Sequence, residues 1–317
     1  MYLLAESFSS FNRGRKWVCE IVGMEKHSTF NIQHSTLNTE AGRKRQVIRI
    51  GNQTSFAAAV LQPFEFAVAN EFTAFEFFPD QGFSGVGGWH ENDLNDAARR
   101  SIRQKAVEKN IELTVHTPLE FDPLHHCEEG RLTSSIKFAQ AIGATLLNLH
   151  LDVGLGTERF AESLGPALRL TAEAGLKLAI ENTVWTGPDD FNRFFAALQQ
   201  RREFPSAHCG MCFDLGHANL FGATQNNYWR YLDMLAPEVP IIHLHLHENF
   251  GDRDSHLTLF TGPARENPSG LAGFLDRLKA RSFSGCAILE QWPQPPSLLV
   301  NARDRLNELV RARAATT

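Results

Sequence analysis

A chain of 317 residues has room for one large domain or two small ones. Its 43% hydrophobic and 21% charged residues suit a protein with a sizeable buried core and exclude disorder throughout. A formal net charge of -5 gives no general attraction for polyanions, so nucleic acid is not the default partner. The odd count of five cysteines (Cys19, Cys127, Cys209, Cys212 and Cys286) makes no disulfide framework and fits a reducing compartment, so a cytoplasmic location is expected. No run of about 18 apolar residues is present, which excludes a conventional membrane-spanning helix.

In chain order, residues 1–45 show no sustained helical or strand period. They contain the polar run F-N-I-Q-H-S-T-L-N-T-E and end in A-G-R-K-R, and Tyr2 to Ala5 is too short for the apolar stretch of a signal peptide. This segment is expected to be an appended, poorly ordered extension, with the folded domain over 46–317. From residue 47 onward, short β-rich apolar runs alternate with amphipathic stretches. The strand candidates are 47–50, 72–78, 111–116, 145–150, 177–182, 210–214, 240–247 and 286–290. Helical patterns lie between them at 55–69, 93–109, 133–142, 157–174 and 188–200. Alternation of this kind requires parallel strands joined by right-handed crossovers. Eight near-regular units predict a closed (β/α)8 TIM barrel, and the lack of a Gly-rich dinucleotide turn or P-loop argues against an open sheet.

The C-x-x-C pair Cys209 and Cys212 falls inside a predicted strand, where positions three apart face opposite ways, so joint redox or zinc chemistry is not expected. The polar ends of the strands are more informative. His116, His150, Glu181 and Asp214 close strands three to six, His245 lies in the seventh, and Glu290 closes the eighth. In a barrel these ends converge on one face. A single residue of this type is explained by capping or by a salt bridge, but six strands repeating the pattern need a shared purpose. A divalent cation resolves the cost of burying several carboxylates together, and mixed oxygen and nitrogen donors suit Mn²⁺, Zn²⁺, Co²⁺ or Mg²⁺. No organic cofactor is implied.

On the motifs L-A-I-E-N-T, C-F-D-L-G-H, H-L-H-E-N and A-I-L-E-Q, residues 47–300 resemble the xylose isomerase-like barrel superfamily. That superfamily includes sugar isomerases and epimerases and the endonuclease IV type of repair enzyme. The resemblance to its epimerases implies a metal held by Glu181, Asp214, His245 and Glu290. His245 is chosen from the triple His243, His245 and His247 because the family spacing H-x-x-(D/E) leads to Glu248, with His243 expected deeper in the barrel and His247 nearer the rim. The resemblance to the endonuclease-like members implies a larger, three-zinc set. His116, His150, His217, Asp254 and His256 match its additional positions, as metal or as substrate ligands.

A sugar isomerase or epimerase is the expected function, with two alternatives beside it. A sugar, sugar phosphate or cyclitol isomerase or epimerase would use Glu181 and Glu290 as the acid and base that move a proton through an enediolate. His217 and Arg253 would then position hydroxyls or a phosphate, and Trp185, Trp292 and Phe78 would wall the sugar ring. A phosphodiesterase acting on abasic DNA would use the larger ligand set, although the acidic run T-P-L-E-F-D-P-L after His116 is unsuited to a polyanion. A barrel that binds a sugar without turning it over is the third. The expected partner is a small sugar-like molecule.

Overall fold

The computed structural model describes residues 48–80, 88–119, 121–124 and 129–314. The extension expected over 1–45 lies outside these described residues. Eight parallel strands close into one barrel in sequential order, β1 to β8. They are β1 Ile48–Gln53, β2 Ala74–Phe77, β3 Glu112–His116, β4 Leu146–His150, β5 Lys177–Glu181, β6 Cys209–Asp214, β7 Ile241–Leu246 and β8 Gly285–Leu289. Helices α1 Gln62–Ala69, α2 Asp96–Lys109, α3 Glu129–Ile142, α4 Thr157–Ser163, α5 Gly165–Glu173, α6 Pro188–Gln200, α7 Leu215–Leu220, α8 Arg230–Met234, α9 Ser269–Ala280 and α10 Ser297–Ala314 lie between and after the strands.

Each predicted strand is present, and three of the boundaries that move do so for identifiable reasons. β1 continues through Gly51, Asn52 and Gln53, a stretch with little β propensity that is kept in the sheet by its surroundings. A Cβ on Gly51 would lie 2.3 Å from the Ala74 carbonyl oxygen, so only glycine lets β1 approach β2 this closely. The helix expected from residue 55 starts at Gln62 instead, because Pro63 suits a first turn and cannot sit in an interior one. The stretch expected as one helix over 157–174 is two, α4 and α5, divided at Leu164 just before Pro166.

Alternation along the strands builds two cores. In β2 the rings of Phe75 and Phe77 join the layer between barrel and helices, where they stack edge-on at 4.8 Å, while Ala74 belongs to a separate interior cluster with Cys286 and Ile288. Burial of each such Phe is worth about 1.5–3 kcal/mol, so the outer layer carries much of the folding energy. Cys209 joins the outer core and Cys212 packs with Leu146 and Ala179 in another separate cluster, as expected for opposite faces. The interior therefore holds two small apolar clusters, with acids and histidines gathered toward the strand ends. Among the described residues no helix is long and apolar enough to cross a membrane.

Candidate metal centre

Strand register delivers the polar residues. β4 and β5 pair with His150 opposite Glu181, and β6 and β7 pair with Asp214 opposite His245. β3 ends on His116, and Glu290 follows the last residue of β8. Helix α7 starts directly after β6: the Asp214 carboxylate caps it by accepting the His217 backbone N–H at 2.6 Å, and the first turn carries the His217 ring back over Asp214. The glycine of C-F-D-L-G-H has a steric cause, since a Cβ on Gly216 would lie 1.9 Å from Cε1 of His247.

After β7 the chain doubles back through an antiparallel bridge between Glu248 and Leu257. Glu248 is buried and holds this loop, accepting from the Tyr228 hydroxyl at 2.9 Å and from the backbone N–H groups of Gly262 and Ala264 at 3.2 and 2.7 Å. The acid that marked the family spacing is thus an anchor for the loop, and what it anchors are Asp254 and His256 over the barrel mouth. His256 sits at φ +43°, an uncommon left-handed conformation for a residue with a side chain.

Among the described residues there are four sets of donor atoms, each with its atoms within 4.8 Å of one another, one of Cys212, His243 and His245 deeper in the barrel and three at the strand ends. Of these three, His116, His150 and Glu181 form the first; Glu181, Asp214, His245 and Glu290 the second; His217, His247, Asp254 and His256 the third. Glu181 joins the first two: its Oε2 is 3.3 Å from His116 Nε2 and 3.1 Å from His245 Nδ1, and its Oε1 is 3.5 Å from His150 Nε2. His245 Nδ1 is also 2.9 Å from Glu290 Oε1. His247 Nε2 links the second and third sets, 3.2 Å from Asp214 Oδ1 and 3.7 Å from Asp254 Oδ1. His217 Nε2 and His256 Nε2 lie 3.3 and 3.2 Å from Asp254 Oδ2.

These groups converge more than they bond. Asp214 Oδ2, Glu290 Oε2 and both ring nitrogens of His245 and His247 are buried without a hydrogen-bond partner, despite their short distances to one another. Buried polar atoms left in this state are costly, and a cation would satisfy those that face it, at most one nitrogen of each ring. Ring orientation agrees. His217 Nδ1 meets the Asn182 carbonyl at 2.8 Å and His116 Nδ1 the Thr117 carbonyl at 2.5 Å, which makes each Nδ1 the N–H donor and leaves Nε2 a lone pair aimed at the centre. The donor set fits a borderline or hard divalent ion.

Without a cation the carboxylates and imidazoles hold each other's charges. Burial raises the pKa of Glu181, yet His245 and His150 and the bonds from His116 and His150 bring it well below the usual range. Burial likewise opposes ionisation of Asp214, and the adjacent His217 and His247 outweigh it. For His245 burial disfavours the charged ring, while the negative groups around it, Glu181, Glu290 and Glu76 among them, push its pKa well up. His217 rises in the same way beside Asp214 and Asp254, and His256 rises to about 9 through Asp254 against the effect of burial.

Of the residues expected from sequence, Glu181, Asp214, His245, Glu290, His116, His150, His217, Asp254 and His256 are brought together. Arg253 is exposed and is not among the residues lining the cavity above the centre, and Trp185, at 82% exposure, is also absent from that lining. The cavity, of about 420 Å³, is walled by Phe56, Phe78, Leu119 and Trp292, with Gln53 and Gln291 as polar neighbours. No Lys or Arg is among its described lining residues. Sequence reasoning missed His247 as a member of the site and missed Glu76 entirely. Gly216 was the available signal for His247; for Glu76 it was one acid in the otherwise apolar run F-T-A-F-E-F-F.

A family model described as a xylose isomerase-like TIM barrel matches residues 64–310. The protein y4fM of Sinorhizobium fredii (strain NBRC 101917 / NGR234) is 29% identical over 143 residues, 41% of this chain and 43% of that protein, so the match spans less than half of the relative's length. Among solved structures, a D-tagatose 3-epimerase-like protein superposes with a TM-score of 0.64 at 18% identity, over 83% of this chain and 97% of that one. The TTHB071 protein from Thermus thermophilus, soaked with ZnCl2, gives a TM-score of 0.56 at 22% identity, over 82% of this chain and 98% of that one. Likeness at these identities concerns the fold.

Proposed function

The chain belongs to the xylose isomerase-like TIM barrel family, and from that premise we propose that it is a polynuclear metal enzyme that hydrolyses a phosphoester on a small, sugar-like substrate. The observation that carries this reading is the continuity of the three donor sets through Glu181 and His247. His116, His150 and Glu181 would hold one divalent ion, Glu181, Asp214, His245 and Glu290 a second, and His217, His247, Asp254 and His256 a third. Bound ions of this kind supply Lewis-acid polarisation of a phosphoryl oxygen and activation of water near neutral pH.

The chain's own groups complete the chemistry. Glu290 would hold its ion through Oε1, which lies 2.9 Å from His245 Nδ1 and accepts from Gln53 at 3.5 Å, and would take the proton of an attacking water on Oε2. Phe56, Phe78 and Trp292 offer flat apolar faces to a sugar ring while closing the centre from bulk solvent. Charge selects the substrate. Three divalent ions, if bound, would outweigh the carboxylates of Glu181, Asp214, Asp254 and Glu290 and would attract an anionic phosphoester, although no Lys or Arg is among the cavity's described lining residues.

A second reading has its own support, because the set Glu181, Asp214, His245 and Glu290 is complete by itself. With one ion the centre stays net negative and suits a neutral ketose, and Glu181 and Glu290 would move a proton between the faces of an enediolate, as in an isomerase or epimerase. The presence of the first and third sets beside that one favours the hydrolytic reading, since an isomerase of this kind would need only the second.

Metal analysis of purified protein together with bis(p-nitrophenyl) phosphate, sugar phosphodiesters, ketoses, inositols and abasic duplex DNA tests both. The expected result is one ion per donor set and cleavage of the phosphodiesters. One ion per chain, with solvent deuterium appearing beside the carbonyl of a turned-over ketose, would establish the isomerase instead. Cleavage confined to abasic DNA would overturn the small substrate, and metal binding with no turnover of the panel would favour a binding barrel.

A further inference from the structure

Glu76 lies in β2, on the far side of His245 from the proposed metal centre, and is fully buried. It is held in place from two sides: its Oε2 accepts from the Thr114 hydroxyl of β3 at 2.9 Å and meets His243 Nε2 of β7 at 2.9 Å. Its Oε1 has no aligned hydrogen bond and lies 2.8 Å from His245 Nε2. The opposite ring nitrogen, His245 Nδ1, faces Glu181 and Glu290. One imidazole therefore stands between a buried carboxylate and a set of metal donors.

An imidazole offers one lone pair to a metal only if its proton resides on the other nitrogen, and a carboxylate at that nitrogen selects the tautomer and the ring orientation. We propose that Glu76 is a positioning residue that keeps the His245 proton on Nε2, so that Nδ1 is presented to the cation shared with Glu181, Asp214 and Glu290. This inference rests on the metal-centre reading above. His243 completes the arrangement from below. Its Nε2 occupies the Glu76 oxygen that could otherwise swing away, and the residue also lines a cavity of about 220 Å³ with Arg49, Thr145 and Lys177 at the other end of the barrel. His243, placed with Cys212 and His245 in a further group of donor types, is then a brace for Glu76.

With Oε2 taken by Thr114 and His243, Oε1 is the oxygen left facing His245 Nε2, and an ionised carboxylate offers acceptors only. Glutamine at this position cannot reproduce that: an amide that turns its oxygen to His245 turns its NH₂ to the Thr114 hydroxyl and to His243, and an amide turned the other way donates to His245 Nε2 and drives the proton onto Nδ1.

The test is metal affinity, measured by chelator competition with Zn²⁺ and Co²⁺ on the full chain, together with the Co²⁺ absorption spectrum. Glu76→Gln is expected to weaken the second site by roughly 10–100-fold, the usual cost of losing such a partner, and to shift the Co²⁺ bands, while Thr114→Val, which removes only a bond to the far oxygen of Glu76, changes affinity less. Equal affinity and spectra in Glu76→Gln and wild type would overturn the positioning role while leaving the metal centre intact. A wild type that binds no divalent ion would overturn both. Should Glu76→Gln fail to fold, histidine ¹⁵N shifts of the metal-loaded wild type decide: coordination at His245 Nδ1 with a proton on Nε2 upholds the proposal, and coordination at Nε2 removes it.

Discussion

At the N-terminal end of the barrel, Arg49 lies 3.2 Å from Glu112, and its guanidinium also donates to the carbonyls of Thr73 and Asn110 at 3.3 and 2.8 Å. Glu112 in turn accepts from the Thr145 hydroxyl at 3.0 Å. Arg49 and Glu112 each have hydrogen-bond partners with good geometry, and both side chains keep about a quarter to a third of their surface in water. At the C-terminal end, Glu181, Asp214 and Glu290 are 8% exposed or less and are surrounded by imidazoles, yet several of their oxygens and ring nitrogens lack an aligned bond. The two ends show what separates a structural ion pair from a site. A structural pair closes on itself, whereas a site leaves lone pairs pointing at a common volume, at a cost of several kcal/mol per buried ion unless something fills it.

That contrast is broken most severely at Glu181, the carboxylate shared by two donor sets. Glu181→Gln keeps the shape, and Asn148, which donates to Oε2, can still bond to the amide oxygen. The negative charge and the bridge are lost. Bound metal should fall by more than the content of one site, and turnover of whichever substrate the wild type accepts should fall on the order of 10²-fold or more. Retention of full metal content in this variant would show that the convergence around Glu181 is an ion-pair network and not a binding centre.

A subtler change comes from pH. The His256 ring, raised to about 9 beside Asp254, must lose its proton before Nε2 can ligate, and His116, His217 and His245 are also shifted upward, against burial, by the carboxylates they face. Metal affinity should therefore climb as pH rises toward 9, by up to about tenfold per unit for each proton displaced, with measurable proton release on binding. The metal-free protein should behave the opposite way. A raised folded-state pKa contributes stability that is fully present below the ordinary histidine pKa near 6.5 and is lost as pH rises through about 9. Calorimetric titration of metal at pH 6.5, 7.5 and 8.5 in buffers of different ionisation enthalpy reads both the affinity and the protons; a flat profile would mean that the histidines are already neutral.

The barrel was legible because periodicity and strand-end chemistry are local signals: each β run is followed by its own polar residue, and register does the rest, as in His150 opposite Glu181. His247 is hidden in the sequence because His243, His245 and His247 alternate alike along and just past β7, and only the closeness of Gly216 to its ring tells which of them faces the third set. Glu76 was passed over for a different reason. Its partners Thr114, His243 and His245 are 38, 167 and 169 positions away, and the two histidines belong to β7, which it meets only once the barrel closes. Trp185 and Arg253 were included on nearness to strand ends, but distance along the chain does not say which way a loop side chain turns.

The smallest effect is expected where the comparison began, at the satisfied end. Arg49→Ala removes one partly exposed ion pair and donors to two backbone carbonyls, while Glu112 keeps the Thr145 hydroxyl and access to solvent. Exposed pairs of this sort are worth about 0–1 kcal/mol. The loss should stay near 1 kcal/mol because water can replace the guanidinium at groups this close to the surface. Thermal unfolding should move by a few degrees, at about 2–4 °C per kcal/mol for a domain of this size. Metal content, Co²⁺ spectrum and turnover should all match wild type. If Arg49→Ala instead released metal, the two ends would be coupled through the His243 and Glu76 column that separates them, and the bottom of the barrel would have to be counted as part of the centre.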